Sequence, residues 1–246
     1  MARLEHSAAL NSTVRRDDFA DLGVSTWALV RQAVERGERE AALAWLEHGC
    51  AEARAMHDSI VGFVDDALTY IARFGEEEIG RFLRGKYTPR VHAWLGSTPG
   101  VEETMHRFAE FQRAHFAEIS VVEEPDRYVM SGPCGSGGRL RRSRAVGATG
   151  RAHPWCWGRE NVPYYCAHCC VAWEILPTEM RGYPLRIHEL PERPGDPCVH
   201  LFYKDPAAIP EPYFTRIGLP RRGGDRPAGG ADGGAAGAGR QGPADG

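Results

Sequence analysis

The sequence predicts an α+β fold: a helical N-terminal layer packed on a small antiparallel sheet, with an inserted cysteine-rich helix. Three observations carry this. Apolar residues recur every three or four positions from residue 25 to about 119, the period of helices with one buried face. The period then shortens toward two in "ISVVEE", "DRYVMSG", "YPLRIHEL" and "CVHLFYK", as in strands. Between the second and third of these, "NVPYYCAHCCVAWEILPTEM" carries a helix start at Asn161 and Pro163 and a stop near Pro177.

The first 24 residues lack either period and are expected to be loose. Ser25 or Thr26 supplies an N-cap for "WALVRQAVERG", and Gly37 stops that helix. Leu43, Leu46, Cys50, Ala53, His57, Ile60, Val64, Leu68 and Ile71 then continue the helical spacing up to Gly75. "EEEIGRFLRGKYTPRVHAWLG" is a further helix, with Pro89 a point of interruption. Thr98-Pro99 caps the next, where Met105, Phe108, His115 and Ile119 share a face. In "YPLRIHEL", Leu185 and Ile187 alternate with Arg186 and His188, the pattern of a strand buried on one side only. "PERPGDP" has the turn residues of a hairpin loop. Residues 219–246 are Gly, Ala, Pro, Asp and Arg with almost nothing to bury and are expected to be disordered. One domain, 25–218, therefore joins a helical layer (25–119) to a sheet and its Cys/His cluster (120–218).

Composition restricts the function. A net charge of −3 argues against a general nucleic-acid binder, and no apolar run approaches the ~20 residues of a membrane helix. The N-terminus has no apolar signal core, so the expected location is the cytoplasm. In that reducing compartment seven cysteines point to metal ligands or reactive thiols rather than disulfides.

The chemistry-bearing residues concentrate between Cys134 and Glu174. Asn161 and Pro163 suit the start of a helix ending near Pro177. Spacings of three and four place Cys166, Cys169, Cys170 and Glu174 along one side of it. Cys166, in the first turn, is expected to be an acidic thiol because free N–H groups and the helix dipole favour a thiolate. Cys134 stands in "GPCGSGGRL", a glycine-rich turn able to approach another element closely. "HPWCWG" adds His153 and Cys156 between Trp155 and Trp157. Cys166 and Cys169 form a C-x-x-C pair, and zinc prefers tetrahedral sulfur and nitrogen. The expected metal ligands are Cys134, His153, Cys166, His168 and Cys169. An iron–sulfur cluster on Cys134, Cys156, Cys166 and Cys169, or no metal, are the alternatives. Glu174 and Cys170 are the expected catalytic groups. Arg139, Arg142, Trp155 and Trp157 are expected to bind substrate.

A helical first half, the strand and turn "YVMSGPCGSGG", a helix, and strands closing on "GDPCVHLFYK" together resemble the bacterial 2-aminothiazoline-4-carboxylate hydrolase-like group. The likeness extends to the 4-vinyl-reductase-type ligand-binding domains and covers roughly residues 100–205. It carries over Cys134 and Cys198, and implies a small-molecule site between helices and sheet and hydrolysis of a C–N bond. "HPWCWGRENVPYYCAHCC" has no counterpart in that pattern. The leading expectation is a zinc-thiolate enzyme acting on a small polar or anionic molecule. A ligand-binding or sensory module with a structural zinc is the alternative from another class, and a redox protein using Cys169 and Cys170 is a third.

Overall fold

The computed structural model describes residues 3–9, 11–97 and 100–221. It opens on a feature the sequence does not predict. Arg3–Ser7 (β1) and Ser12–Arg16 (β2) pair as an antiparallel hairpin in the segment expected to be loose. Their polar composition gives no alternation to read. The helical layer follows. Ser25 caps α1 (Thr26–Glu35), its hydroxyl accepting from the Ala28 N–H, and Gly37 leaves the helix with a left-handed φ of 72°. The long apolar stretch is α2 (Arg39–Ile71), followed by a 3₁₀ turn that ends at Gly75. Helix α3 (Glu77–Ser97) passes through Pro89 without a break. Proline removes one backbone bond there, and the Thr88 hydroxyl donates to the Arg84 carbonyl in the same turn. Helix α4 (Gly100–Ala114) completes the layer; the expected Thr98-Pro99 cap lies outside the described residues. No described helix is long and apolar enough to cross a membrane.

The second half begins with β3 (Ser120–Glu123), β4 (Arg127–Gly132) and a short helix, α5 (Gly137–Ser143). The cysteine-rich helix comes next and is irregular. It starts as a 3₁₀ turn (Tyr164–Cys166), continues as α6 (Ala167–Cys170), widens to a π turn (Val171–Ile175) and ends as α7 (Leu176–Arg181). Asn161 does not cap it: its φ is 57° and its N–H bonds to the Thr149 carbonyl instead. Nor does Pro177 end it. That proline falls in the first turn of α7, directly after the π turn, where its missing N–H is tolerated.

Strands β5 (Ile187–Glu189) and β6 (Cys198–Tyr203) complete a four-stranded antiparallel sheet in spatial order β3-β4-β6-β5. An α+β architecture with a helical layer preceding the sheet is thus the observed one. Within the tail expected from residue 219, Leu219 packs against the core and its N–H bonds to the Phe214 carbonyl; residues 222–246 lie outside the described chain.

Sheet parity decides what meets the helices. His188 stands opposite His200, and Met130 opposite His200 on the other side, so Arg186, His188, Cys198, His200, Phe202 and Met130 share one face. That face packs on the helical layer, where Phe108 of α4 meets Phe202 and Trp173. The opposite face carries Ile187, Leu201 and Tyr203, which bury against Ile209 and Phe214 of the C-terminal segment. Both faces of the β5–β6 hairpin are therefore covered. Arg186 is 2%, His188 3% and His200 5% exposed, where a strand buried on one side only was expected.

Candidate active site

Cys134 leaves β4 on the turn that leads into α5. Glycine is required here for space. A Cβ on Gly135 would stand 2.1 Å from the His115 carbonyl oxygen, and one on Gly137 would stand 3.0 Å from Cys166 Sγ. The turn thus brings Cys134 against the cysteine-rich helix, as the glycine-rich sequence predicts.

A narrow cleft, with about 30 Å³ of space for water-sized molecules, lies between α4, this turn, the cysteine-rich helix and the inner sheet face. Its walls include Cys134, Cys166, His168, Cys169 and Cys198, together with His115, Tyr165, Trp173, Arg186, His188 and His200. Four of the five expected metal ligands therefore share one cleft. His153 is elsewhere: its Nε2 lies 2.8 Å from Glu76 Oε2 and its ring stacks on Trp155 at 4.7 Å, tying "HPWCWG" to the start of α3. Among the described residues, no group of three His, Cys, Asp or Glu side chains is spaced to hold a metal ion.

The thiols differ in charge. Cys134 is held well below the ordinary thiol value because Cys198 donates its S–H to it; burial opposes this, and the Gly138 and Ser136 backbone N–H groups add to it. The Ser136 hydroxyl stands 3.7 Å from its sulfur. Cys198 is correspondingly pushed up, first by serving as that donor and then by burial. Cys166, expected to be the acidic thiol, is instead pushed well up by burial and by the neighbouring Cys134 charge. Its 3₁₀ turn does not compensate for the lost solvation. Cys169 is lowered: burial opposes its charge, but His168 and Arg186 outweigh it. His168 presents Nδ1 to the Tyr165 carbonyl and Nε2 to Cys169 Sγ at 3.6 Å.

The expected catalytic and substrate-binding residues lie outside this cleft. Glu174, 0% exposed, accepts from Trp157 Nε1 at 2.8 Å, from the His188 N–H at 2.8 Å and from Arg216 at 2.9 Å. Cys170 donates to the Pro154 carbonyl at 3.4 Å. On an ideal helix these two lie about 40° apart and roughly 100–140° round from Cys169, so they face "HPWCWG". Trp155 presses on Gly80 of α3, and Trp157 stacks on His188 at 5.2 Å. Arg139 is bound by Asp58 at 2.7 Å, and Arg142 donates to the Pro194 carbonyl at the exposed edge.

Sequence reading misses Arg186, His188 and His200. Arg186 donates to His200 Nδ1 at 2.6 Å and to His188 Nδ1 at 3.0 Å, and its Nη2 lies 3.2 Å from Cys169 Sγ. Its guanidinium covers the Phe108 ring at 4.8 Å. Its Nε and the Nε2 of His188 are buried without partners among the described residues. Burial pushes both histidines well below the ordinary imidazole value, with the Arg186 charge adding to it, so both are neutral. The signal in the sequence is an arginine and two histidines at even spacing in adjacent strands, but alternation assigns them to solvent.

A scan of protein-family models, a search of curated proteins and a search of solved structures return no match to the chain.

Proposed function

We propose that this protein is an enzyme in which the Cys134 thiolate attacks a small anionic molecule, with hydrolysis of a C–N bond as the reaction class. One observation carries the reading. A thiol stabilised as thiolate by a neighbouring S–H and two backbone N–H groups faces the same cleft as a buried arginine with no carboxylate partner among the described residues. Its nearest anionic partner is the Cys169 sulfur, 3.2 Å from Nη2, while its Nε has no partner among the described residues. A carboxylate or similar group on the substrate would pair with Arg186 there, in place of the Arg139 and Arg142 expected from sequence.

The chemistry follows from the residues. Cys134 sulfur forms a bond to the electrophilic carbon of an amide or amidine. The C–N bond breaks with its electron pair on nitrogen, which takes a proton. His168 is the donor: burial opposes its protonated form, but the Cys169 charge, the hydrogen bond to that sulfur and the Tyr165 carbonyl together outweigh burial. Water then cleaves the C–S bond and restores the thiolate. Convergence of Cys134, Cys166, His168 and Cys169 on one cleft supports a second reading, zinc held by thiolates. Their spacing does not favour it.

The test is ammonia or amine release from a panel of small carboxylate-bearing amides and amidines, with intact-mass detection of a covalent adduct and metal analysis of the same sample. Turnover by wild type that Cys134→Ser abolishes while retaining its circular dichroism is the expected result. No turnover and no adduct across the panel would sink the reading. Stoichiometric zinc lost on Cys134→Ser would favour the second one.

A further inference from the structure

Helix α2 has two apolar faces. Val61, Asp65 and Leu68 are buried against the rest of the molecule. Nearly opposite them, at about 100° per residue, run Met56, Ile60, Phe63, Ala67, Tyr70 and, in the following turn, Phe74. Five of these are large and lie between 57% and 73% exposed. The N-terminal half of the same outward side is covered: α1 packs there, with the Trp27 ring 3.3 Å from where a Cβ on Gly49 would stand. Beyond Gly49, nothing among the described residues continues that cover.

We propose that two copies of this chain pair antiparallel through residues 56–74 of α2 and the turn after it. The spacing 4-3-4-3-4 is symmetric about Asp65. A two-fold axis there sets Met56 opposite Phe74 of the second copy, Ile60 opposite Tyr70, and Phe63 opposite Ala67. The most exposed ring thus meets the smallest residue of the stripe, as knobs-into-holes packing needs, and each contact occurs twice, as a two-fold interface requires. Tyr70 and Phe74 are already packed edge to face at 5.4 Å. With about 200 Å² for a fully exposed side chain of this size, five side chains exposed by 57–73% offer roughly 600 Å² per copy. The pair would bury about 1,200 Å², the lower bound for a specific interface. A patch of this size stands at the upper end for a monomer.

Sedimentation velocity of the full chain at tens of micromolar is expected to give a particle of twice 27.1 kDa. Ile60→Glu and Tyr70→Lys are each expected to weaken dimerisation by about 100-fold or more, since each buries a charge in the interface. The double variant is expected to dimerise again, because the carboxylate introduced at position 60 of each copy then faces the ammonium introduced at position 70 of the other. Positions 60 and 70 are too far apart to pair within one helix. Should Ile60→Glu lose helical circular dichroism, Tyr70→Lys alone carries the loss arm. A monomeric wild type, a dimer indifferent to both single variants, or a monomer that instead co-floats with anionic vesicles would each overturn the proposal.

Discussion

Two arginines are held inside this molecule in opposite ways. Arg216 reaches the fully buried Glu174 at 2.9 Å and Glu189 at 3.4 Å, and also donates to the His188 carbonyl. Arg186 sits on the far side of the same histidine, with two neutral imidazoles, a sulfur and an aromatic face around it. The first arrangement pairs its cation with two carboxylates and leaves only Nε without a partner among the described residues. The second has no carboxylate among the described residues. Charge inside a protein is tolerated when paired; Arg216 and its carboxylates hold structure, and Arg186, beside the Cys169 sulfur in the cleft, is where the proposed substrate anion would bind. Glu174 illustrates the point from the other side. Burial pushes its carboxyl up, and Arg216 and Trp157 pull against that. A carboxylate so fully engaged is a fastener between helix and hairpin and is not free to move protons.

The largest expected effect breaks the first arrangement. Arg216→Met should cost about 3–5 kcal/mol of unfolding free energy in urea titration, because it strands the Glu174 charge. A loss under about 1 kcal/mol would remove the distinction between the two sites. Arg186→Met should cost less than Arg216→Met in the same titration, since its anionic neighbour is the Cys169 thiol, which can take up a proton, and no carboxylate among the described residues is stranded. Its effect should appear in selectivity. Iodoacetate carries a carboxylate and iodoacetamide does not. The ratio of their alkylation rates at Cys134 should fall about tenfold in Arg186→Met, the worth of one charge-assisted hydrogen bond. An unchanged ratio would show that Arg186 does not recognise anions in the cleft.

Cys198→Ala sharpens the comparison at the nucleophile. It removes the S–H that stabilises the Cys134 thiolate, so the Cys134 value must rise toward that of an ordinary thiol. Less thiolate is then present at neutral pH, and iodoacetamide should react several-fold more slowly there while the rate at high pH stays the same. A uniform change at all pH values would assign Cys198 to packing alone. The smallest effect is expected from Arg142→Ala. That side chain makes one bond to an exposed carbonyl, and its loss should stay within about 0.5 kcal/mol in unfolding and leave the alkylation ratio unaltered.

What is legible in the sequence is what it encodes locally. Helical periodicity locates α1 to α4, and alternation with turn residues locates β3 to β6. The hairpin at residues 3–16 is invisible, because "RLEHS" and "STVRR" bury almost nothing and so carry no alternation. Cys134 and the Cys166/Cys169 pair stand out because cysteine, glycine and helical spacing are local signals. Arg186, His188 and His200 are misread because alternation records one buried face and cannot reveal that helices cover the other. Glu174 reads as catalytic because its partner Arg216 lies 42 residues away. Cys166 reads as the acidic thiol because a helix start is visible in sequence and the depth of its burial is not.

The central claim, that Cys134 is the nucleophile, is tested most directly by iodoacetamide alkylation followed across pH with peptide mapping. Cys134 is expected to be modified first, with its rate inflecting well below the ordinary thiol range. Inflection within or above that range, or preferential labelling of Cys166 with Cys134 left unmodified, would contradict it.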